Sequence, residues 1–396
     1  MSAFINLFYI YDPWLFHFFR MAFFCGGIAM LYLLYQIYRK QRLQGITLPL
    51  DSFVAIFILI IVAVIPMLSH GTKEFYAVGM YIKGLILFTC GVAIYNLCYY
   101  QKTNAKEMMV RDLKIGIIVQ AVVGFTALAG IPFMIDLGIS TNAVFPKFYG
   151  SEQEYRLYNL TSTVFFQLSL FYAFLLHFLL AYNAKYNNIS PIFVFLLLCI
   201  GLISGRTFLF ISAISFLVYF RWKYIPAILL FGTICLFLAF NFAENKYVQH
   251  ALEPLINVIH GYGLVSSSTD NLVQNHLYIL ELKQILIGDG RYFYPQGGYY
   301  GKTDSGFLRQ TLYGGFIYLS VCFLFMCYFV RKVAINWFDG SWIFILSTLL
   351  ILSILNVKAD AYAFPGIMLV LLMFLSLFGN EGKNKILFLN NKTENV

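Results

Sequence analysis

Long apolar stretches, separated by polar segments, make up most of this chain. A membrane-spanning helix needs about 20 mostly apolar residues, or fewer where protein covers it, so the pattern predicts about eleven spans, or twelve if one near the amino terminus is missed. The predicted spans lie near residues 14–38, 51–69, 76–100, 115–137, 160–182, 190–204, 206–220, 224–242, 305–330, 341–357 and 361–378. Two short ones meet at Ser204-Gly205-Arg206, which predicts a tight hairpin or a broken helix.

One polar segment is much longer than the others. Between Asn241 and Asp304 the chain is polar, aromatic and rich in glycine. We therefore divide it into an amino-terminal bundle at 1–242, a large loop at 243–304, and carboxy-terminal helices with a short tail at 305–396. Membrane-edge cations outside the loop, described below, indicate that the loop is a lid over a site rather than a catalytic domain.

The composition predicts the same class of protein. Hydrophobic residues make up 60% of the 396 residues and charged residues only 11%, which is typical of an all-α polytopic membrane protein and excludes nucleic-acid binding. The seven cysteines lie in apolar segments without a metal-ligand spacing. We expect free buried thiols, no metal and no cofactor.

Positive charge is concentrated on one side of the predicted bundle, and the positive-inside rule makes that side cytoplasmic. The amino terminus and the loop are then outside, and the carboxyl terminus is inside. The cytoplasmic cations are Arg39, Lys40, Arg42, those between Lys102 and Lys114, Lys185, Arg221, Lys223, Arg331, Lys332, Lys383, Lys385 and Lys392.

Other cations lie at the outer face, where the same rule disfavours them. They are Lys147, Arg156, Arg206, Arg291, Lys302, Arg309 and Lys358. Ionisable groups at a membrane edge are functional candidates. For Arg156, a surface salt bridge with Glu152 four residues earlier competes with an anion site. Arg206 lies between apolar stretches and must meet a carboxylate, carbonyl groups or an anion, which favours function over snorkelling to the interface.

Candidate bases lie in the loop and at its end. Asp304 can cap the next helix, which is the simpler interpretation, or accept a proton. His250, His260 and His276 can serve as general bases near neutral pH, although hydrogen-bonded loop histidines are common. The sequence has no Asp-x-Asp, His-Glu-x-x-His, Walker or Gly-x-Ser-x-Gly motif, which argues against metal-dependent nucleotide-sugar chemistry.

These features together resemble the O-antigen polymerase family, within the O-antigen ligase and polymerase group of polytopic membrane glycosyltransferases. The resemblance rests on the length, the Phe- and Tyr-rich composition, the late loop and short motifs. The motifs are Ser204-Gly-Arg-Thr-Phe208, Gly288-Asp-Gly-Arg291, Thr303-Asp-Ser-Gly-Phe-Leu308 and Gly314-Gly315. Ligases of this group usually carry a histidine downstream of the loop glycines; Asp304 in about that place favours a polymerase.

The resemblance implies a metal-independent glycosyltransferase of the bacterial inner membrane, with its large loop in the periplasm. It would transfer a growing glycan from a polyprenyl diphosphate carrier to a lipid-linked repeat unit. Its partners would be polyprenyl diphosphate-linked oligosaccharides, membrane lipids, a chain-length regulator and a flippase. The expected catalytic residues are Arg156, Arg206, Arg291 and Asp304. The expected substrate-binding residues are Arg309, Lys302, Tyr292, Tyr294, Tyr299, Tyr300 and His276.

Alternative functions remain open at this point. An O-antigen ligase would share the architecture. A flippase for lipid-linked sugars would have internal repeats and charges near mid-membrane; Lys83 is the main such charge, and no clear repeat is present. An envelope assembly protein is a further alternative. A membrane O-acetyltransferase would need a histidine in a cytoplasm-facing channel, for which His17 and His177 are poorly placed.

Overall fold

The fold is described here from a computed structural model, which describes residues 1–39, 44–263, 270–379 and 385–389. Of the predicted cytoplasmic cations, Lys40, Arg42, Lys383 and Lys392 lie outside these ranges. In chain order the helices are α1 (Ser2–Tyr11), α2 (Met21–Tyr38), α3 (Leu50–Ser69), α4 (Tyr76–Cys98), α5 (Ala105–Leu128), α6 (Pro132–Thr141), α7 (Phe165–Tyr186), α8 (Pro191–Ser204), α9 (Thr207–Tyr219), α10 (Ile225–Asn241), α11 (Lys246–Ala251), α12 (Glu253–Ile259), α13 (Leu282–Ile287), α14 (Gly306–Phe338), α15 (Trp342–Lys358) and α16 (Ile367–Leu375).

The strands form two small antiparallel sheets. Strands β1 (Trp14–Leu15) and β2 (Phe19–Arg20) form a hairpin, and β3 (Gln44–Leu48) pairs with β4 (Lys385–Leu389). Short helical turns complete the fold at Pro146–Phe148, Glu154–Leu157, Trp222–Tyr224, Leu272–His276 and Tyr300–Lys302. The chain is therefore mostly helical, which confirms the predicted all-α class.

Among the described residues, six helical segments are long and apolar enough to cross a membrane. They are Met21–Tyr38, Leu50–Ser69, Tyr76–Cys98, Phe165–Tyr186, Trp222–Asn241 and Gly306–Phe338. Helices α1, α8, α9 and α15 are apolar but shorter. These helices indicate a membrane-embedded protein, while the count of about eleven or twelve spans stays a prediction.

Several predicted span boundaries are wrong. The first span begins at Met21 rather than near residue 14, because Phe16 and His17 adopt a left-handed turn between β1 and β2. The fifth begins at Phe165, and the last helix covers only Ile367–Leu375. Before that helix, Pro365 disfavours helical geometry for the preceding residue, and Gly366 has a φ of +63°.

The fourth predicted span, near residues 115–137, is also displaced. Helix α5 starts at Ala105 and ends at Leu128, and α6 follows from Pro132. Gly130 has a φ of +82° and separates the two helices. By contrast, the break predicted at Ser204-Gly205-Arg206 is confirmed, because α8 ends at Ser204 and Gly205 has a φ of +155°.

Helix α7 lies at the centre of the bundle. Its residues from Leu168 to Asn183 are all buried, and it packs against α8, α9, α14, α15 and α16. The peripheral helices α2, α3 and α10 instead expose large apolar side chains, among them Leu31, Ile61 and Phe240. Exposed apolar faces of this kind suit contact with lipid.

A kink in α14 joins the long loop to the bundle. The helix breaks at Gly314 and Gly315, where Gly315 has a φ of +66°. The carbonyl groups of Leu312 and Tyr313 accept hydrogen bonds from the loop amides of Asp289 (2.6 Å) and Gly290 (2.9 Å). The loop motif that begins at Gly288 therefore satisfies backbone groups that the kink releases.

Candidate functional site

A cavity of about 470 Å³ lies among α2, α3, α4, α7, α14 and α16, and we call it the Arg309 cavity. Its polar lining residues are Asp12, Arg20, Tyr76, Tyr81, Lys83, Ser162, Thr163, Gln167, Tyr299, Arg309 and Asp360. Its apolar lining residues include Ile56, Leu59, Leu87, Phe325, Leu369, Val370 and Met373. Along α14 the lining includes Arg309 before the kink and Phe325 after it, which would be at most roughly 24 Å apart along a straight helix. The cavity is thus elongated and amphipathic.

Arg309 and Asp360 form a buried ion pair in the cavity wall. Arg309 Nη1 lies 3.0 Å from Asp360 Oδ2, and each residue is only 5% exposed. The ring of Tyr299 stacks on the guanidinium at 3.5 Å, and Gln310 donates to Asp360 Oδ1 at 3.2 Å. Arg309 Nε has no hydrogen-bond partner among the residues that the structure describes. A bound anion can accept a hydrogen bond from this remaining N–H group.

A second charged group lies at the start of α2. Asp12 accepts a hydrogen bond from Arg20 Nε at 2.8 Å and, through its other oxygen, from the Ala22 amide at 2.9 Å. Lys83 of α4 lines the same cavity. Together, the three cations and two carboxylates of the lining leave one surplus positive charge, which favours an anionic ligand.

Helix orientation adds to this positive potential. Helices α7 and α16 begin at the cavity, because their first residues line it, whereas the Ala22 amide at the start of α2 is already bonded to Asp12. The amino-terminal end of a helix carries a partial positive charge and free amide donors. Phe165, the first residue of α7, has a φ of +56°, a strained conformation for a bulky side chain.

Three further cations lie beside the cavity, and we call Arg156, Arg206 and Lys358 the cation cluster. Arg156 Nε donates to the Ser204 carbonyl at 3.1 Å, and its guanidinium lies 4.5 Å from the centroid of Phe165, a cavity-lining ring. Arg206 pairs with Glu253, and Lys358 donates to Thr207 at 2.8 Å. Electrostatic interactions connect Lys358 with both arginines and with Asp304.

The position of the Arg156 side chain depends on the absence of a side chain at Gly205. A Cβ atom at Gly205 would lie 2.8 Å from Arg156 Nη2, so only glycine leaves room for the guanidinium there. The Arg156 side chain also donates to the side-chain oxygen of Gln153 at 3.1 Å. The surface salt bridge predicted for it was with Glu152, the residue before Gln153. Burial lowers the pKa of Arg156 to about 10, and the side chain stays charged at neutral pH.

His250 lies next to the cation cluster. Its Nδ1 atom is 3.1 Å from the Tyr155 hydroxyl. Burial, and then the charges of Arg206 and Arg156, lower the pKa of His250 to about 4. The imidazole is therefore neutral at neutral pH and adds no positive charge to the cluster.

Asp304 is not the helix cap that the simpler interpretation predicted. Helix α14 begins at Gly306, its N-cap residue is Ser305, and no side chain caps it. The Asp304 carboxylate is half-exposed and lies 3.6 Å from His276 Nε2. Its charge acts on both Lys358 and Asp360, so it lies near the cation cluster and near the Arg309–Asp360 pair.

The tyrosines predicted to bind sugar occupy different environments. Tyr299 lines the cavity and stacks on Arg309. Tyr292 is only 1% exposed and packs in the core, 4.7 Å from the Tyr313 ring. Tyr294 and Tyr300 pack against each other at 5.0 Å. Only the first of these four tyrosines lines the described cavity.

None of the remaining predicted residues lines the cavity. Arg291 and Lys302 are exposed. His276 Nδ1 lies 3.1 Å from the Lys302 carbonyl oxygen, so its contacts fix the end of the loop near Asp304. The structure therefore brings Arg309 and Tyr299 into the cavity, and Arg156, Arg206 and Asp304 close to it.

Sequence reasoning missed Asp12, Arg20 and Asp360. Arg20 falls inside the first predicted span, and an arginine within a span is itself a functional signal. Asp12 and Asp360 lie just outside the predicted spans, where a carboxylate is common and does not by itself indicate a functional site. Their pairing with Arg20 and Arg309 depends on the tertiary fold.

Comparison with known proteins provides no relative from which a role could be transferred. No protein-family profile, no curated protein and no solved structure matches the chain. Within the described ranges, no group of three or more His, Cys, Asp or Glu residues is placed to hold a metal ion. The function must therefore be inferred from the chemistry of the site itself.

Proposed function

We propose that this protein is a membrane-embedded glycosyltransferase that polymerises polyprenyl diphosphate-linked oligosaccharide repeat units at the outer face of a bacterial inner membrane. The observation that carries the proposal is the amphipathic Arg309 cavity. Its polar part combines Arg20, Lys83 and Arg309 with the amino termini of α7 and α16, and its other part is apolar. A polyprenyl diphosphate has the same division between a charged headgroup and an apolar chain.

The charge and the size of the site are compatible with that ligand. The cavity has one surplus positive charge, and the cation cluster adds more beside it. A sugar-linked diphosphate is doubly negative, so it would be neutralised in a partly apolar environment. A volume of about 470 Å³ holds a headgroup and the first part of the chain. The rest of the chain would extend into lipid.

The proposed reaction breaks the bond between the sugar and the diphosphate. An acceptor hydroxyl oxygen attacks the anomeric carbon, its proton passes to a base, and the polyprenyl diphosphate leaves with the bonding electron pair. Negative charge develops on the diphosphate, where Arg309 and the cation cluster would stabilise it. Arginine suits this role because its donors match phosphate oxygens bidentately.

Asp304 is the proposed base. Its carboxylate does not cap a helix, is half-exposed to an incoming substrate, and lies near both the cation cluster and the Arg309–Asp360 pair. His276, 3.6 Å away, can share the proton or orient the carboxylate. Tyr299 belongs to the loop and stacks on Arg309 of the bundle, which supports a lid role for the loop.

The proposal is tested with purified protein and polyprenyl diphosphate-linked repeat units, the products being separated by size on a gel. We expect a ladder of longer lipid-linked glycans. Arg206→Ala should abolish the ladder, whereas Glu253→Gln breaks the same ion pair but keeps the cation and should retain it. Repeat units that stay unchanged with folded wild-type protein would refute polymerisation, and full activity of Arg206→Ala would refute the role of the cation cluster.

A flippase for the same lipid-linked sugar is the second candidate. One observation favours it: Lys83 lies within α4 and lines an amphipathic cavity together with Arg20. A flippase would move the unit between leaflets without lengthening it. Reconstituted vesicles distinguish the two, because translocation without a ladder indicates a flippase. A ligase would instead transfer the glycan to a different acceptor lipid.

A further inference from the structure

A second recess lies at the opposite end of the bundle from the cation cluster. It consists of a cavity of about 620 Å³ and a neighbouring one of about 340 Å³, which share Lys106, Phe378 and Gly379; we call them together the Arg331 cleft. The cleft lies where α3 and α5 begin and where α4, α14 and α16 end. Since α3, α4 and α14 are long enough to cross a membrane, it lies at the level of a membrane interface.

The cleft keeps positive charge after its internal pairs are formed. Its cations are Lys102, Lys106, Arg331 and Lys332, and its carboxylates are Asp51, Glu107 and Asp339. Lys332 bonds Asp51 at 2.8 Å, and Asp339 bonds Lys185 at 2.6 Å. Lys106 donates to the backbone carbonyl of Asn336. Arg331 and Lys102 are exposed and form no ion pair within the described part of the chain.

The other lining residues suit the headgroup region of a bilayer. Of the tyrosines that line the cleft, Tyr186 is exposed and Tyr328 partly exposed, whereas Tyr95, Tyr99 and Tyr182 are buried. Tyrosine is enriched at membrane interfaces, where its ring is apolar and its hydroxyl polar. Ile335 of α14 lines the same cleft and is 43% exposed, so an apolar surface adjoins the cations.

We propose that the Arg331 cleft binds the headgroup of an anionic phospholipid. Its phosphodiester would lie between Arg331 and Lys106, which line one cavity, and Lys102 would add attraction from the adjoining one. The acyl chains would pass Ile335 onto the exposed side of α14. A basic pocket between helix ends at a membrane surface is a suitable site for such headgroups. This binding is independent of the proposed glycosyl transfer.

The test measures binding of fluorescent phosphatidylglycerol and phosphatidylcholine to the full-length protein in dodecyl maltoside. We expect phosphatidylglycerol to bind at least about fivefold more tightly. Each of Lys102→Gln and Arg331→Gln should weaken its binding about fivefold, the factor that corresponds to about 1 kcal/mol per interfacial cation. Both side chains are exposed, so the variants should fold normally.

Controls separate the cleft from general electrostatic attraction. Lys73 and Lys147 are exposed cations near the opposite end of the bundle, and Lys73→Gln with Lys147→Gln should leave binding unchanged. Equal affinity for the two lipids, or equal weakening by both pairs of substitutions, would overturn the proposal. Displacement of the lipid by sn-glycerol 3-phosphate at an equal concentration would also overturn it, because the cleft would then bind free phosphate esters.

Discussion

The Arg309–Asp360 pair allows stability and ligand binding to be separated by substitution. The two charged groups lie 3.0 Å apart, and each residue is 5% exposed. Breaking a buried pair from one side leaves an uncompensated charge and costs about 3–5 kcal/mol, whereas an exposed pair contributes about 0–1 kcal/mol. Arg309→Gln and Asp360→Asn should therefore each lower the free energy of unfolding by about 3–5 kcal/mol.

The double variant should recover most of this loss, because no unpaired charge remains. Asparagine at position 360 also keeps an oxygen that can accept the Gln310 hydrogen bond, which measures 3.2 Å in the native protein. We expect pyrophosphate binding by the three variants to follow a different order from their stabilities. Asp360→Asn keeps the cation and should still bind pyrophosphate and form the glycan ladder, while Arg309→Gln and the double variant should lose both.

Unfolding would be measured in mixed micelles, and pyrophosphate binding by calorimetry below the unfolding temperature of each variant. The comparison of the two single variants is decisive, because they break the same ion pair. A cost below about 1 kcal/mol for both would refute the buried pair. Equal loss of pyrophosphate binding in both, or retained binding in the double variant, would refute Arg309 as the anion-binding group.

Two further predictions concern the loop. Gly315→Ala should destabilise the protein by about 2 kcal/mol or more, because Gly315 has a φ of +66° and a Cβ atom would lie 2.3 Å from the Leu286 carbonyl oxygen. The control is Gly232→Ala, where a Cβ atom would meet no atom within 4 Å. Equal unfolding temperatures for the two variants would contradict the kink. Burial lowers the pKa of His250 to about 4, so the unfolded state binds more protons between about pH 6.5 and 4. Stability should fall as the pH falls through that window, and His250→Asn should flatten the profile; an unchanged profile in that variant would assign the pH dependence to other groups.

The apolar pattern predicted the class of fold because long apolar helices are a local property of sequence. The break at Ser204-Gly205-Arg206 was also predictable, since it appears as a polar interruption between two short apolar stretches. The start of α2 was not predictable from the sequence. Residues 14–20 are mostly apolar and adjoin the span, and their turn depends on left-handed backbone conformations at Phe16 and His17 that hydropathy does not record.

The candidate site was only partly predictable for a similar reason. Cations on the unexpected side of the bundle led to Arg156, Arg206 and Arg309, because charge distribution is visible in the sequence. Whether a tyrosine faces a cavity or the core depends on packing, so Tyr292 and Tyr299 could not be distinguished. The pairing of Arg309 with Asp360, which lie far apart in the sequence, could not be predicted for the same reason.

The Arg309 cavity and the Arg331 cleft approach each other closely inside the bundle. Phe325 lines the cavity and Tyr328 the cleft, one helical turn apart on α14, and Met373 and Ser376 repeat this spacing on α16. Where recesses that admit water enter from both faces, the transmembrane voltage falls mainly across the layer between them. The doubly charged headgroup of the proposed substrate would therefore enter the cavity with little electrical work. Crossing the remaining layer would involve about 4.6 kcal/mol for every 100 mV, so voltage would act on passage through the protein far more than on binding.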